Sequence, residues 1–216
     1  MSTVAPRAAS SAPAIPYEPV APRVARLLQA GNRWLGQGKP SEAAQSFEQA
    51  SRVAPRQEDA WFGLGLARAR LGQSEAAMEA YRKALEIMPN FVEAHNNLGN
   101  LLASRQEAAR SIEHFETALR VMPDYATAHN SLGQVLAQQG RISDAHSHFA
   151  QAVRIMPDYV EARCNLGTSL WTQNRLPEAI AEFEECLRRR PGFAPAAQAL
   201  ARIRPGLPAP APQPRP

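Results

Sequence analysis

The chain has 216 residues, a formal charge of +4, two cysteines and a mean hydropathy of −0.37, which describes one soluble domain of ordinary composition. Its apolar runs are far short of the roughly 20 residues that cross a bilayer, so a membrane span is not expected. Residues 1–23 carry a net +1 and residues 194–216 a net +3, so the middle of the chain is neutral and no nucleic-acid surface is expected there.

Residues 1–23 hold five prolines among many Ala and Ser. Such a segment cannot bury enough apolar surface to order itself and is expected to be disordered. It has no continuous apolar stretch of the kind a secretory leader needs, so Cys164 and Cys186 are expected to be reduced thiols in a cytoplasmic protein.

From Val24 to Phe193 the sequence repeats every 34 residues without an insertion. Pro55, Pro89, Pro123, Pro157 and Pro191 set the register, and Gly31, Gly65, Gly99, Gly133 and Gly167 align with them. An aromatic column reads Phe47, Tyr81, Phe115, Phe149 and Phe183. One small column reads Ala50, Ala84, Ala118, Ala152 and Cys186, and another Ala43, Ala77, Ser111, Ala145 and Ala179. A period of 34 is that of a helix–turn–helix solenoid. The predicted architecture is therefore an all-α, right-handed α-solenoid of five units, 24–57, 58–91, 92–125, 126–159 and 160–193.

Glycine inside a helix costs about 1 kcal/mol against alanine, so five aligned glycines need a packing reason. The expectation is close approach of two helices, with the Ala/Cys column facing the glycines and the aromatic ring filling the space between units. Each proline ends a second helix, because the residue before it is biased away from the helical region. Asn90 with Glu93, and Asp158 with Glu161, have capping-box spacing for the next helix. Gly38, Gly72 and Gly140 provide the stop between the two helices of a unit, where Gln106 and Asn174 also fall. Gln106 is expected to be the most strained of these. Pro40 and Pro177 suit the starts of second helices.

These columns resemble the tetratricopeptide repeat, with its Trp, Leu-Gly, Tyr, Ala, Phe, Ala and Pro positions, over 170 of the 216 residues. The family's Trp column reads Leu27, Trp61, His95, His129 and Arg163, and its Tyr column Trp34, Arg68, Leu102, Leu136 and Leu170. Arg68 is expected to reach its head out to solvent. The resemblance implies a concave groove lined by first helices. Carried over place by place, the lining is Asn96, Asn97, Asn100, Asn130, Ser131, Gln134, Gln138, Asn165 and Thr168, with an apolar end at Leu28, Phe62 and Leu66. Amide side chains offer donors and an acceptor together, which suits the backbone of an extended peptide. Asn97 and Asn165 resemble the asparagine ladder of the O-GlcNAc transferase repeats, interrupted here by Gly63 and Ser131.

The resemblance implies a non-enzymatic adaptor for protein segments. The alternatives are a regulatory, substrate-recruiting partner of a glycosyltransferase and a self-assembling structural scaffold with weak self-association. C-terminal tails of the Hsp90 type are not expected, because Glu93, Asn96, Asn100 and Glu161 stand where a Lys/Arg clamp would. The apolar end can take a partner's anchor or pack against the chain's own Ile15 and Tyr17.

No cofactor or catalytic constellation is expected. Gly63 to Arg68 begins like a dinucleotide fingerprint but follows no strand and lacks the third glycine. His146 and His148 point to different faces of one helix, and inheritance of the repeat explains the columns His95/His129 and His114/His148, so no metal is expected. Arg188, Arg189 and Arg190 form the one dense basic patch, read as a helix end. Residues 194–204 are expected to form a capping helix through Ala197, Leu200 and Ala201, since a solenoid needs a polar end cover. Residues 205–216 hold six prolines and one Pro-x-x-Pro step, Pro205 to Pro208, and are expected to be a disordered, extended tail.

Overall fold

Proline at a first helical position loses no hydrogen bond, and the first helix opens on Pro22, two residues before the expected start. The computed structural model describes residues 22–203. The two tails, with Ile15, Tyr17 and the Pro205–Pro208 step, lie outside the described residues.

Eleven helices and no strand occur among the described residues: α1 (Pro22–Gly36), α2 (Pro40–Val53), α3 (Glu58–Arg70), α4 (Ser74–Ile87), α5 (Val92–Ser104), α6 (Ala108–Val121), α7 (Ala126–Gln138), α8 (Ile142–Ile155), α9 (Val160–Thr172), α10 (Leu176–Arg189) and α11 (Ala194–Ile203). Each helix packs on its neighbours in sequence. Beyond that, α1 touches α3, α5 touches α7 and α7 touches α9, whereas no two even-numbered helices pack to a comparable extent. The array therefore bends with its odd-numbered helices on the inner side. This is an all-α solenoid.

The inner turns follow the sequence. Gly38, Gly72, Gln106, Gly140 and Asn174 all have positive φ, from 60° to 77°. Each is bracketed by a backbone bond that spans it, such as Gln73 N to Arg68 O at 2.9 Å and Glu107 N to Leu102 O at 3.0 Å. This is the Schellman arrangement, and Gln106 adopts it with a side chain that gains least from it.

The outer turns differ from expectation. α5 begins at Val92 and α9 at Val160, with Phe91 and Tyr159 at the cap positions and no side-chain cap bond. The turn after the proline takes one residue more than a capping box allows. Asp158 and Glu161 instead pair with Arg189 and Arg190.

The glycine column packs differently too. A β-carbon on Gly65 would lie 2.5 Å from Tyr81, on Gly99 2.7 Å from Phe115, and on Gly133 2.6 Å from Phe149. Each glycine therefore faces the ring of its own helix pair, not the Ala/Cys column. The rings at 47, 81, 115, 149 and 183 are at most 3% exposed. Burying one is worth roughly 2–3 kcal/mol, more than the glycine costs. The Ala/Cys column sits between odd helices: Ala50 packs with Val24 and Ala60, Ala118 with Val92 and Ala128, and Cys186 donates to Val160 O of its own pair at 3.6 Å.

Helix α11 buries Ala196, Ala199, Leu200 and Ile203 against the last pair. Of the residues expected to do this only Leu200 does; Ala197 and Ala201 are exposed.

Candidate functional site

Three columns on the odd helices build the inner face. One reads Leu28, Phe62, Asn96, Asn130 and Cys164. The next reads Gly63, Asn97, Ser131 and Asn165. The third reads Asn32, Leu66, Asn100, Gln134 and Thr168. The first column turns from apolar to polar along the array, so the face has two ends.

At the N-terminal end, Leu28, Phe62 and Leu66 come together, as the repeat register implies. With Asn32, Phe47, Asp59, Gly63, Phe91 and Glu93 they line a cavity of 360 Å³. A β-carbon on Gly63 would lie 2.3 Å from the Phe47 ring, so the missing side chain lets that ring form the floor. Phe62 stacks on Phe91 with centroids 4.6 Å apart.

At the other end, Gln134, Gln138, Asn165 and Thr168 share a second cavity of 290 Å³ with Ile142, Phe149 and Thr172. Asn97 is half-buried and Asn100 is exposed. Asn96, Asn130 and Ser131 are only 3%, 5% and 6% exposed, so they lie beneath the face and do not line it openly. Two of the amides in this region are committed to each other. Asn165 Nδ2 donates to Asn130 Oδ1 at 2.9 Å, and Asn130 Nδ2 donates to the Tyr159 hydroxyl at 3.2 Å. Tyr159 is held above its ordinary pKa by burial and then by Glu161.

That chain stops one helix pair earlier. Asn96 Oδ1 is buried and has no partner. Its counterpart Asn130 is served by Asn165, but Ser131 stands at the corresponding place and its shorter side chain makes no bond there. Ser131→Asn is expected to complete the chain and add about 1 kcal/mol, the net worth of a hydrogen bond that relieves a buried acceptor. Thermal melting reads this as a rise of about 2–4 °C. A melting temperature equal to or below wild type would mean that the amide does not fit.

The outer side carries a network that the sequence did not disclose. Trp61 Nε1 donates to Pro55 O at 2.8 Å, and Arg163 Nη2 to Pro157 O at 3.1 Å. In the same column His95 Nε2 meets Pro89 O, and His129 Nε2 meets Pro123 O, both at 3.0 Å. A carbonyl only accepts, so Nε2 carries the proton in both rings and Nδ1 is left as an acceptor. His114 and His148 supply the donor from Nδ1, each 2.9 Å away. His114 is held down to about 4 by burial, then by His95, Arg110 and Arg82. His148 is lowered by burial and His129. The two histidine columns are thus bonded pairs, not only inherited letters. In α9 and α10 the same places hold Arg163 and Glu182, paired at 2.8 Å. A search by neighbouring positions on one helix misses all three pairs, because the partners lie 19 residues apart on two helices.

His146 bonds Ser169 at 3.1 Å and faces away from His148. No group of three or more His, Cys, Asp or Glu among the described residues could hold a metal ion. Cys164 is 7% exposed and so does not lie open on the groove. The neighbouring Cys164 thiol, together with burial, raises the Cys186 thiol. Arg68 is half-buried, and its head donates to Ala76 O at 3.3 Å. The arginine patch is engaged as well. Arg188 pairs with Glu185, Arg189 with Asp158 and Glu185, and Arg190 with Glu161.

Profiles of the tetratricopeptide repeat match residues 28–91, 91–158 and 136–203. Together they span the helical array, and the chain belongs to the tetratricopeptide-repeat family, whose folds serve as protein-interaction scaffolds. A search of curated protein sequences finds no match. Several solved structures share the fold. MamA 41-end from Desulfovibrio magneticus RS-1 is 19% identical with a TM-score of 0.69, covering 81% of this chain and 99% of that one. TTC0263, a thermophilic TPR protein of Thermus thermophilus, is 23% identical with a TM-score of 0.67, covering 83% and 98%. YrrB, described as a TPR protein with an unusual peptide-binding site, is 17% identical with a TM-score of 0.65, covering 85% and 92%. No helix among the described residues is long and apolar enough to cross a membrane.

Proposed function

We propose that the protein is a non-enzymatic adaptor of five tetratricopeptide repeats that holds an extended peptide segment of a partner along its inner face. The observation that carries this reading is the run of amides on α5, α7 and α9 beside the 290 Å³ cavity. Asn97, Asn100, Gln134, Gln138, Asn165 and Thr168 meet the peptide. Asn96, Asn130 and Ser131 hold the groove from beneath. Each exposed amide can accept from a peptide N–H and donate to its C=O, which grips main chain irrespective of sequence. YrrB, of the same fold, supports a peptide ligand by its description alone.

The test is partner capture by wild type beside Asn97→Ala/Asn130→Ala/Asn165→Ala, after circular dichroism has shown both to be folded. Partners held by wild type and lost from the variant are expected. Partners retained equally by both would refute the amide face as the peptide site.

A further inference from the structure

The 360 Å³ cavity at the N-terminal end is apolar on its floor and acidic on its rim. Leu28, Phe62, Leu66 and Phe91 supply the apolar wall, and the Phe47 ring lies under Gly63. Asp59 and Glu93 border the same space from α3 and α5. Neither carboxylate has a cationic partner among the described residues, whereas Glu161, which occupies the place of Glu93 two helix pairs on, is paired with Arg190. The two acids instead feel each other: Asp59 is raised by burial, then by Glu58 and Glu93. Two like charges beside an apolar hole form a site that lacks its counter-charge.

We propose that this cavity is a specificity pocket for a partner segment carrying one large apolar residue flanked by Lys or Arg. The apolar side chain enters between Phe62, Leu66 and Leu28, and the flanking cations meet Asp59 and Glu93. The inference rests on the reading of the inner face as a peptide groove. It adds what that reading lacks, since amides grip main chain and do not select side chains, whereas a shaped pocket with charge does both. The chain's own Ile15–Tyr17 is the competing occupant. Residues 8–21 contain no Lys or Arg, and Glu18 follows Tyr17 directly, so seating that segment would bring a third carboxylate to the rim. Charge therefore favours a separate, basic partner segment.

The test uses the full chain and three N-acetylated nonapeptides in a Gly/Ser background. The first has one Leu with Arg two residues to either side, the second has Glu for Arg, and the third has Ala for Leu. Affinity is measured by calorimetry at low and at raised salt, and contacts are mapped by amide chemical shifts. The Arg–Leu–Arg peptide is expected to bind about tenfold or more tighter than the Glu peptide, the scale of one or two partly exposed ion pairs. It should also outbind the Ala peptide, perturb Phe62, Gly63 and Leu66, weaken with salt, and lose its advantage on Asp59→Asn/Glu93→Gln. That variant removes unpaired charge and should fold at least as well as wild type.

Equal binding of the Arg and Glu peptides, shifts confined to α7 and α9, or no binding would overturn the proposal. A tenfold gain in affinity on Ile15→Ala/Tyr17→Ala would overturn it in favour of the tail as resident. Asn97→Ala/Asn130→Ala/Asn165→Ala should leave the Arg–Leu–Arg peptide bound, so failure of the amide reading and failure of this one are read by different variants.

Discussion

Gly133→Leu is expected to lower the melting temperature by about 10 °C or more. The α-carbon of Gly133 faces the edge of the Phe149 ring, and even a β-carbon there would lie 2.6 Å from it. Phe149 is 3% exposed and packs among Leu132, Leu136 and Ala145, so the ring can move only by giving up those contacts and entering the 290 Å³ cavity it borders. Overpacking of this kind costs about 1–3 kcal/mol for added methylenes and more where backbone must move. In a chain of this size each kcal/mol is worth about 2–4 °C. Gly36→Leu is the control, because nothing lies within 4 Å of a β-carbon at that position. Phe149→Leu should relieve part of the damage in the double variant, as contacting residues are not additive. Thermal melts followed by circular dichroism settle it. A Gly133→Leu protein that melts with wild type would refute the ring contact.

Arg163→Leu should be nearly as costly. Arg163 is 12% exposed, donates to Glu182 at 2.8 Å and holds the carbonyl of Pro157. Its removal leaves a mostly buried carboxylate unpaired and an outer turn untied. Breaking a fully buried pair costs about 3–5 kcal/mol, and Glu182 at 26% exposed brings this to about 2–3 kcal/mol. The rescue is informative. Arg163→His/Glu182→His copies the bonded pairs of α5–α6 and α7–α8 and should recover most of the loss at a pH of about 7.5, where free imidazole is neutral. The recovery should fade on acidification. A buried imidazole with a lowered folded pKa stays neutral, while its unfolded counterpart takes up a proton, so stability is full above about 6.5 and falls as pH drops towards the folded value. His114, held down to about 4, sets the same direction in the wild-type protein. A rescue that persists unchanged at a pH of about 5, below the unfolded value, would show that the transplanted rings do not pair.

Much of the fold was legible because it is local and repeated. Positive φ at Gly38, Gly72 and Gly140 follows from glycine alone, and the 34-residue register carried it to Gln106 and Asn174, where composition would not have placed it. That Leu28, Phe62 and Leu66 lie together was legible for the same reason, since they occupy matching places in the register and share one cavity. What repetition did not give is which column faces which. The glycines and the small residues recur with equal regularity, and only packed helices show that glycine meets the ring of its own pair while alanine meets the odd helices on both sides of it.

The sequence by itself determined an all-helical array, its inner turns, its odd-helix face and the neutral charge of its body, because each depends on residue type at a fixed spacing. Tertiary structure decided the rest. It turned two histidine columns into pairs across helices and tied Asn165 to Asn130 while leaving Asn96 Oδ1 without a partner. It also paired the terminal arginines while leaving Asp59 and Glu93 unpaired beside an apolar cavity. A hydrogen bond or an ion pair depends on a few tenths of an ångström between side chains far apart in sequence, and periodicity fixes only which face each side chain is on.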